Sequence, residues 1–174
     1  MKRSKELIPD RVKKGSASIL ERLDALDKDQ LHAVLATALD GQPYTSMIAY
    51  ALTPDKKGIV FATPRKTQKY KNILKNNRVS LLIDTRSNTE KDYMSAESLT
   101  ILGNAMSVRK GEKWSELTEA LIQKHPNLDE IIRSHETKLI FIKITRCIHV
   151  TRFQTVSEWI ANKRHSAAEL RNDV

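Results

Sequence analysis

Residues 31–63 have the sequence LHAVLATALDGQPYTSMIAYALTPDKKGIVFAT. Three apolar runs fall within it, at 31–39, 43–52 and 59–63. Asp40-Gly41 separates the first two runs, and an Asp-Gly pair in this setting is a strong hairpin signal. The turn formers Pro54 and Gly58 separate the second run from the third. The stretch therefore predicts a meander of three antiparallel strands.

Strands predominate in the rest of the chain as well. They are predicted at 78–84, 98–108 and 138–151, with Gly103 marking a bulge or a close backbone approach. Helices are predicted after Pro64 and near 112–125 and 127–135. Two terminal segments are also predicted to be helical, a peripheral segment over 1–28 and a carboxyl-terminal tail over 155–174. Residues 86–95 are predicted to form a polar loop. About six strands with few helices favour one domain over 1–174 with a mainly β (α+β) fold, an antiparallel barrel with peripheral helices.

The composition is that of a globular protein without a membrane span. The chain has 174 residues, of which 40% are hydrophobic and 29% charged, and this balance excludes wholesale disorder. No apolar run approaches the roughly 18 residues of a membrane helix. The basic amino end lacks the apolar stretch of a secretory signal, and the lone Cys147 cannot form an internal disulfide. We therefore expect a cytoplasmic location and no membrane partner.

The positive charge of the chain is concentrated in one segment. Thirty Lys and Arg against 21 Asp and Glu give a formal net charge of +9, and eight of these cations lie between Lys56 and Arg78, where no acidic residue occurs. A local excess indicates an anion site, although a solvated basic face would have the same composition. We do not expect nucleic acid, because only 5% of the residues are aromatic and no zinc-finger, RNP or GxxG signature accompanies the cations.

The helix predicted after Pro64 begins with an unfavourable charge. Thr67 is a good N-cap residue, and Gln68, Lys69 and Tyr70 would form the first turn. Carboxylates are preferred at a helix start, which carries about half a positive charge, yet this one has cations and no Asp or Glu. A bound phosphate would reverse the sign of these interactions by using free N–H groups, a hydroxyl and cations together. The pattern therefore predicts a phosphate site.

Five short stretches occur in a combination that is typical of one family. They are Gly41-Gln-Pro-Tyr44, Ser46-Met-Ile48, Gly58-Ile-Val-Phe-Ala-Thr63, Thr67-Gln-Lys69 with Asn72-Ile73, and Asn76-Asn-Arg-Val-Ser-Leu-Leu82. In this order and spacing they resemble the pyridoxamine 5′-phosphate oxidase-like FMN-binding split barrels. The resemblance covers residues 30 to 108, with a closing strand at 138–151. It implies that the barrel is an antiparallel split β-barrel.

The resemblance also implies a cofactor and its contacts. The family is homodimeric and holds FMN at the interface between protomers, with the phosphate against one group of residues and the ring along a strand backbone. The cofactor-binding residues implied here are Ser46, Met47 and Ile48 for the ring, Ala62, Thr63, Thr67, Gln68 and Lys69 for the phosphate end, and Ser98. Ser98 occupies the position of a flavin-contacting Gln in the oxidases.

The chain departs from the oxidases on the substrate side. Ser46 stands where those enzymes carry an Arg, Ala51 where a substrate-phosphate Lys is expected, and Thr151 near a position that is Trp. The helical region 112–135 shows no counterpart of their substrate-binding Tyr, Arg and Ser. The resemblance therefore implies the cofactor half of the site and not the vitamin substrate.

The predicted function is that of an FMN-dependent oxidoreductase with an unassigned small-molecule substrate, with NAD(P)H as the electron source. No catalytic residue is predicted, and the five His residues lack the paired spacing of a metal site. Trp114 is expected in packing or in an interface, whereas Trp159 could reach the flavin. Two alternatives remain open, a non-catalytic protein that binds flavin or haem and a basic nucleic-acid-binding barrel.

Overall fold

A computed structural model describes residues 19–151 and 155–161, so the ends of the predicted terminal segments lie outside the described residues. The strands are β1 His32–Leu39, β2 Gln42–Leu52, β3 Gly58–Pro64, β4 Arg78–Asp84, β5 Ser98–Ser107, β6 Thr137–Thr151 and β7 Thr155–Ile160. The helices are α1 Ile19–Asp29, α2 Gln68–Lys75, α3 Asp92–Ser95, α4 Glu112–Lys124 and α5 Asp129–Arg133, with a 3-10 turn at Pro126–Leu128.

The strands form a closed antiparallel barrel. Neighbouring strands follow the order β3-β2-β1-β4-β5-β6, and pairing of β3 with β6 closes the ring. The seventh strand, β7, extends the sheet beyond β6. The predicted mainly β fold, an antiparallel split barrel with peripheral helices, is confirmed.

Alternate side chains of the strands fill the barrel. Leu35, Tyr50, Phe61, Leu81 and Ile101, one from each of five strands, are fully buried in a single apolar cluster. Because side chains alternate between the two faces of a strand, the residues on either side of these face outward. Helices α1 and α2 add apolar side chains to the same cluster. Helices α4 and α5 bury a second cluster against the outer face of β2, β3 and β6.

Two local features predicted from glycine are present. Asp40 and Gly41 both have positive φ, 51° and 80°, at the β1–β2 turn, which confirms the hairpin. At Gly103 the register between β5 and β6 shifts, which confirms the predicted bulge. A Cβ atom at position 103 would lie 2.6 Å from Ile142 Cγ2 and 2.6 Å from the Lys143 carbonyl oxygen, so the close backbone approach requires glycine.

The predicted helical tail over 155–174 is wrong where the structure describes it. Residues 155–160 form β7, an antiparallel partner of 146–151 in β6. The reason is that β3 covers the same edge of β6 only from Thr137 to Lys143, so the remainder of that edge is open to another strand. The predicted polar loop 86–95 also contains one helical turn, α3. In the described ranges, no helix is long and apolar enough to cross a membrane.

Candidate functional site

The barrel opens where β2 and β3 separate. β3 pairs with β2 only at Tyr50–Leu52, whereas β1 pairs with residues 42–49 of β2. The other edge of residues 42–49 therefore faces no strand among the residues that the structure describes. Backbone N–H and C=O groups on such an edge are available to a ligand. The predicted ring-binding stretch, Ser46 to Ile48, lies on this free edge.

The start of α2 has the predicted cap. The Thr67 hydroxyl accepts a hydrogen bond from the Tyr70 N–H at 3.4 Å and donates its one proton to the Pro64 carbonyl at 3.0 Å. The Thr63 hydroxyl lies 2.9 Å from that of Thr67 and must donate to it, because the Thr67 proton is already used. Thr63 is a buried residue of β3 and Thr67 is the N-cap of α2, so their hydroxyl groups join the end of the strand to the start of the helix.

The first turn of α2 leaves hydrogen-bond donors free. The backbone N–H groups of Gln68 and Lys69 have no acceptor among the residues that the structure describes, and the turn contains no acidic side chain. Such N–H groups and the helix dipole together favour an anion. The arrangement therefore has the donor chemistry of a phosphate site.

Lys69 is the cation of this turn that burial affects. Its side chain is partly buried, and desolvation lowers the pKa of its ammonium group. No carboxylate within the described ranges pairs with it, whereas Lys56 pairs with Asp24 and Lys66 lies 3.9 Å from Glu136. An anion at the helix start would offset this desolvation. The basic segment 56–78 is thus divided between paired cations, exposed cations and one unpaired, partly buried lysine.

Ser46, next to the free edge, carries a buried polar group without a hydrogen-bond partner among the residues that the structure describes. Its hydroxyl oxygen is buried and makes no hydrogen bond. Buried polar groups without a partner are uncommon in proteins, and they mark places where water or a ligand completes the bonding. The next residue, Met47, faces the other way and is 70% exposed, whereas Ile48 is buried. Ser46 pairs with the core residue Leu35, so the unused hydroxyl faces the barrel interior, Met47 faces outward, and the unused backbone groups lie along the free edge between them.

The predicted site residues fall into two separate places. Ser46–Ile48 line one side of the opening between β2 and β3, and Ala62, Thr63 and Thr67–Lys69 lie on and directly after β3 on its other side. Ser98 is not with them. It begins β5, three strands from β2 around the ring, and its neighbour Leu99 faces the core, so Ser98 faces outward. Within one protomer, Ser98 cannot complete the same site.

A polar network with two buried members, Thr37 and Asn72, connects α2 to β1 and β2 and was not predicted from the sequence. Gln68 Nε2 donates to Asn72 Oδ1 at 2.7 Å, and Asn72 Nδ2 donates to Thr37 Oγ1 at 3.0 Å. The Thr37 hydroxyl donates to the Tyr44 carbonyl oxygen at 3.3 Å. The available signal was polar residues in apolar surroundings, since Thr37 lies within an apolar run and Asn72 precedes the buried Ile73.

The substrate-side departures have a structural counterpart. Ala51 is buried beneath α4, in contact with the cluster that contains Leu117 and Leu121. A long cationic side chain at this position would have to displace the helix. Trp114 packs against the same cluster, as expected for a packing residue. Trp159 packs against the barrel core, and its contact with flavin stays a prediction.

Two buried or half-buried histidines have structural partners. His149 Nε2 lies 2.7 Å from Glu97, which also pairs with Arg22, and burial and the Arg22 charge lower the pKa of His149. His125 Nε2 lies 2.8 Å from the Tyr50 carbonyl oxygen. No group of three or more potential metal ligands occurs among the residues described.

The opening is a surface edge and not an enclosed pocket. Two cavities, of about 400 and about 510 Å³, lie elsewhere. The first is lined by residues of the β2–β3 turn and α4, and the second by residues of β1, β4 and β5, among them Thr37, Arg78 and Asn104. Neither includes a predicted cofactor-binding residue. A ligand on the β2 edge would therefore need further covering from outside this protomer.

The fold defines the chain as a split-barrel protein. Residues 19–151 match the family described as Pyridoxamine 5′-phosphate oxidase, and the chain belongs to that family. The predicted family resemblance is thus confirmed over most of the chain. No curated protein sequence matches the chain at a significant level.

Several solved structures share the fold. A haem binding protein from Mycobacterium smegmatis superposes with a TM-score of 0.72 at 18% identity, covering 86% of this chain and 60% of that one. The haem storage protein HutZ from Vibrio cholerae gives 0.61 at 16% identity, covering 76% and 93%. A FAD-binding protein from Mesorhizobium loti gives 0.61 at 19% identity, covering 76% and 92%. The chain thus spans about three fifths of the mycobacterial protein.

Proposed function

We propose that this protein binds FMN and is an FMN-dependent oxidoreductase that acts on a small molecule with NAD(P)H as the electron source. The observation that carries the proposal is the first turn of α2, where two unbonded N–H groups and an unpaired, partly buried Lys69 lie on one side of the barrel opening. Family membership supports flavin as the ligand class. The FMN phosphate is the dianion that fits this turn.

The chain would bind the two ends of FMN by different chemistry. The N–H groups of Gln68 and Lys69 and the Lys69 ammonium group would hold the phosphate, with the hydroxyls of Thr63 and Thr67 beside them. The free edge of β2 would hold the polar edge of the ring through backbone groups. Bound FMN supplies the hydride and electron transfer that no side chain provides. The contribution of the residues is binding, orientation and exclusion of water.

The same proposal includes a homodimer. Ser98 faces outward on the wall opposite β2, so it can reach a flavin only on a second copy of the chain. Strands β1 and β4 lie between β2 and the strand of Ser98, and their outer face carries half-buried apolar side chains, among them the paired Val34 and Leu82. A second protomer on this wall would remove them from water and cover the open edge. Light scattering of the purified protein tests this, and a monomer at all concentrations would contradict it.

The decisive experiment is a pair of titrations of the ligand-free protein with FMN and with riboflavin. Riboflavin lacks the phosphate and so serves as a matched ligand control. We expect FMN to bind more tightly, and we expect NADH or NADPH to reduce the bound FMN in anaerobic stopped-flow measurements. Failure of both ligands to bind would remove the flavoprotein assignment. Binding without reduction by either nicotinamide would leave a flavin-binding protein and remove the oxidoreductase.

A haem-binding protein is the second candidate. It is favoured by the fold shared with a haem binding protein and a haem storage protein, and the carboxylates of haem are anions that could meet the same cations. The visible spectrum of the protein as purified separates the candidates, because oxidised flavin gives two bands and haem a single intense Soret band. A nucleic-acid-binding barrel would instead be colourless and would bind DNA with an affinity that falls steeply with salt.

A further inference from the structure

Asn72 is a buried amide that joins α2 to the barrel beside the proposed phosphate turn. It lies on the second turn of the helix and is only 2% exposed. A buried amide is costly unless it is hydrogen-bonded, and here each end has one partner. Its oxygen accepts from Gln68 Nε2 at 2.7 Å, and its nitrogen donates to Thr37 Oγ1 at 3.0 Å. The Asn72 side chain is therefore fixed in orientation.

The direction of the bonds is fixed along the whole network. The Thr37 hydroxyl has one proton, which it donates to the Tyr44 carbonyl oxygen, so it can only accept from Asn72. Asn72 must then present its oxygen to Gln68, which presents its nitrogen in return. Tyr44 precedes Ser46 by two residues on the free strand β2. The network thus runs from the helix start to the strand on which the ring is proposed to lie.

We infer that Asn72 is a positioning residue for the phosphate end of the site, which it serves by fixing the Gln68 side chain and the first turn of α2 against β1 and β2. This inference rests on the proposed function. Asn72 is buried behind Gln68 and would not touch the cofactor. Its effect is to hold the donors of the turn at a set distance from the β2 edge, so that a ligand with both a ring and a phosphate can engage them together.

The chain offers a matched control on the same helix. Asn76 also bonds α2 to β1, through Nδ2 and the Ala38 carbonyl oxygen at 3.0 Å, but it caps the other end of the helix. It has no bond to Gln68. Replacing either asparagine removes a tie between α2 and β1, and only Asn72 is connected to the proposed phosphate turn.

The test compares the dissociation constants of FMN and riboflavin for the full chain and for four variants. The ratio of the riboflavin dissociation constant to the FMN dissociation constant measures the phosphate contribution alone. We expect Asn72→Ala and Thr37→Val to lower this ratio by about tenfold, as for one lost hydrogen bond of good geometry, with riboflavin affinity little changed. Thr37→Ser keeps the hydroxyl and should therefore keep the ratio of the parent protein. Asn76→Ala should also leave the ratio unchanged.

The outcomes separate this inference from the function on which it rests. An unchanged ratio in Asn72→Ala would overturn the inference, whether neither ligand binds more weakly or both do so equally. Equal weakening would indicate that Asn72 has a merely structural role. If Asn72→Ala does not fold, the comparison of Thr37→Val with Thr37→Ser decides in the same way. A wild-type protein that binds neither ligand would overturn the proposed function itself, and the inference would fall with it.

Discussion

The hydroxyl oxygens of Thr63 and Thr67 lie 2.9 Å apart and join the end of β3 to the start of α2. Thr67 also accepts from the Tyr70 N–H and donates to the Pro64 carbonyl, so a single hydroxyl closes the turn and caps the helix. Because hydrogen bonds within the chain hold the turn, an anion would meet donors whose positions are already fixed. The cost of ordering the site on binding is correspondingly small.

Removal of the cap should affect both stability and binding. We expect Thr67→Ala to lower the free energy of unfolding by about 1 kcal/mol, as is usual for loss of an N-cap, and to weaken FMN binding. Thr67→Ser keeps the hydroxyl and should retain most of both. Urea unfolding and FMN titration measure the two effects. Equal stability of the alanine and serine variants would show that the cap contributes nothing.

Lys69 should contribute to FMN binding through its charge. We expect Lys69→Ala to weaken FMN binding by about 1–3 kcal/mol, the range for losing a hydrogen bond to a charged group, with riboflavin affinity nearly unchanged. Lys71→Ala, on an exposed position of the same helix, is the matched control and should have a much smaller effect. Calorimetric titration measures both. Unchanged FMN affinity in Lys69→Ala would remove this residue from the phosphate site.

The lowered pKa of Lys69 predicts opposite pH effects on stability and binding. Between this pKa and that of an ordinary lysine, the unfolded chain binds more protons than the folded one, so the free energy of unfolding of the ligand-free protein rises with pH. FMN affinity should fall over the same window, because the ammonium charge is lost.

Lys69→Arg isolates this effect, since the guanidinium group stays charged. Its FMN affinity should persist to higher pH than that of the parent protein, and the window of rising stability should disappear. Titrations and urea unfolding across the alkaline range supply the measurement. Parallel pH profiles for the parent and the arginine variant would assign the titration to another group.

The bulge at Gly103 should not tolerate a side chain. We expect Gly103→Ala to lower the free energy of unfolding by about 1–3 kcal/mol, the cost of overpacking, because its Cβ atom would meet Ile142 and the backbone of Lys143. Gly41→Asn is the control, since position 41 has open space and asparagine accepts its positive φ. Thermal unfolding compares them. A Gly103→Ala variant as stable as the control would mean that the strands shift at no cost.

Most of the barrel could be predicted because its signals are local. The residue types at the Asp40-Gly41 turn and at the Gly103 bulge are themselves typical of the backbone features found there. Strand β7 could not be predicted in this way. Residues 155–160 are a strand because β3 leaves part of one edge of β6 uncovered, which is a property of a distant pairing. The single turn α3 likewise depends on Asp92, whose carboxylate accepts three backbone N–H groups in a polar loop.

In the candidate site, too, the features set by local sequence could be predicted and those set by distant contacts could not. The cap at Thr67 and the absence of acidic residues after it are local facts of the sequence, and they are sufficient to predict a capped helix start with free N–H groups, whereas the anion stays a prediction. The position of Ser98 on the opposite wall depends on strand order around the ring, which short motifs do not encode. The network through Thr37 and Asn72 joins residues 35 positions apart. Only the assembled barrel brings them together.

The uncovered edge of β2 presents backbone N–H and C=O groups, and no substitution other than one to proline, which lacks the N–H, removes such a donor or acceptor. Side chains along this strand can therefore change while the hydrogen-bonding groups of its edge persist, provided that the strand keeps its register with β1. This chain shares the fold with three solved structures at identities of only 16–19%. Substitutions would then change the side chains on either face of the strand and leave the backbone donors and acceptors of its edge in place.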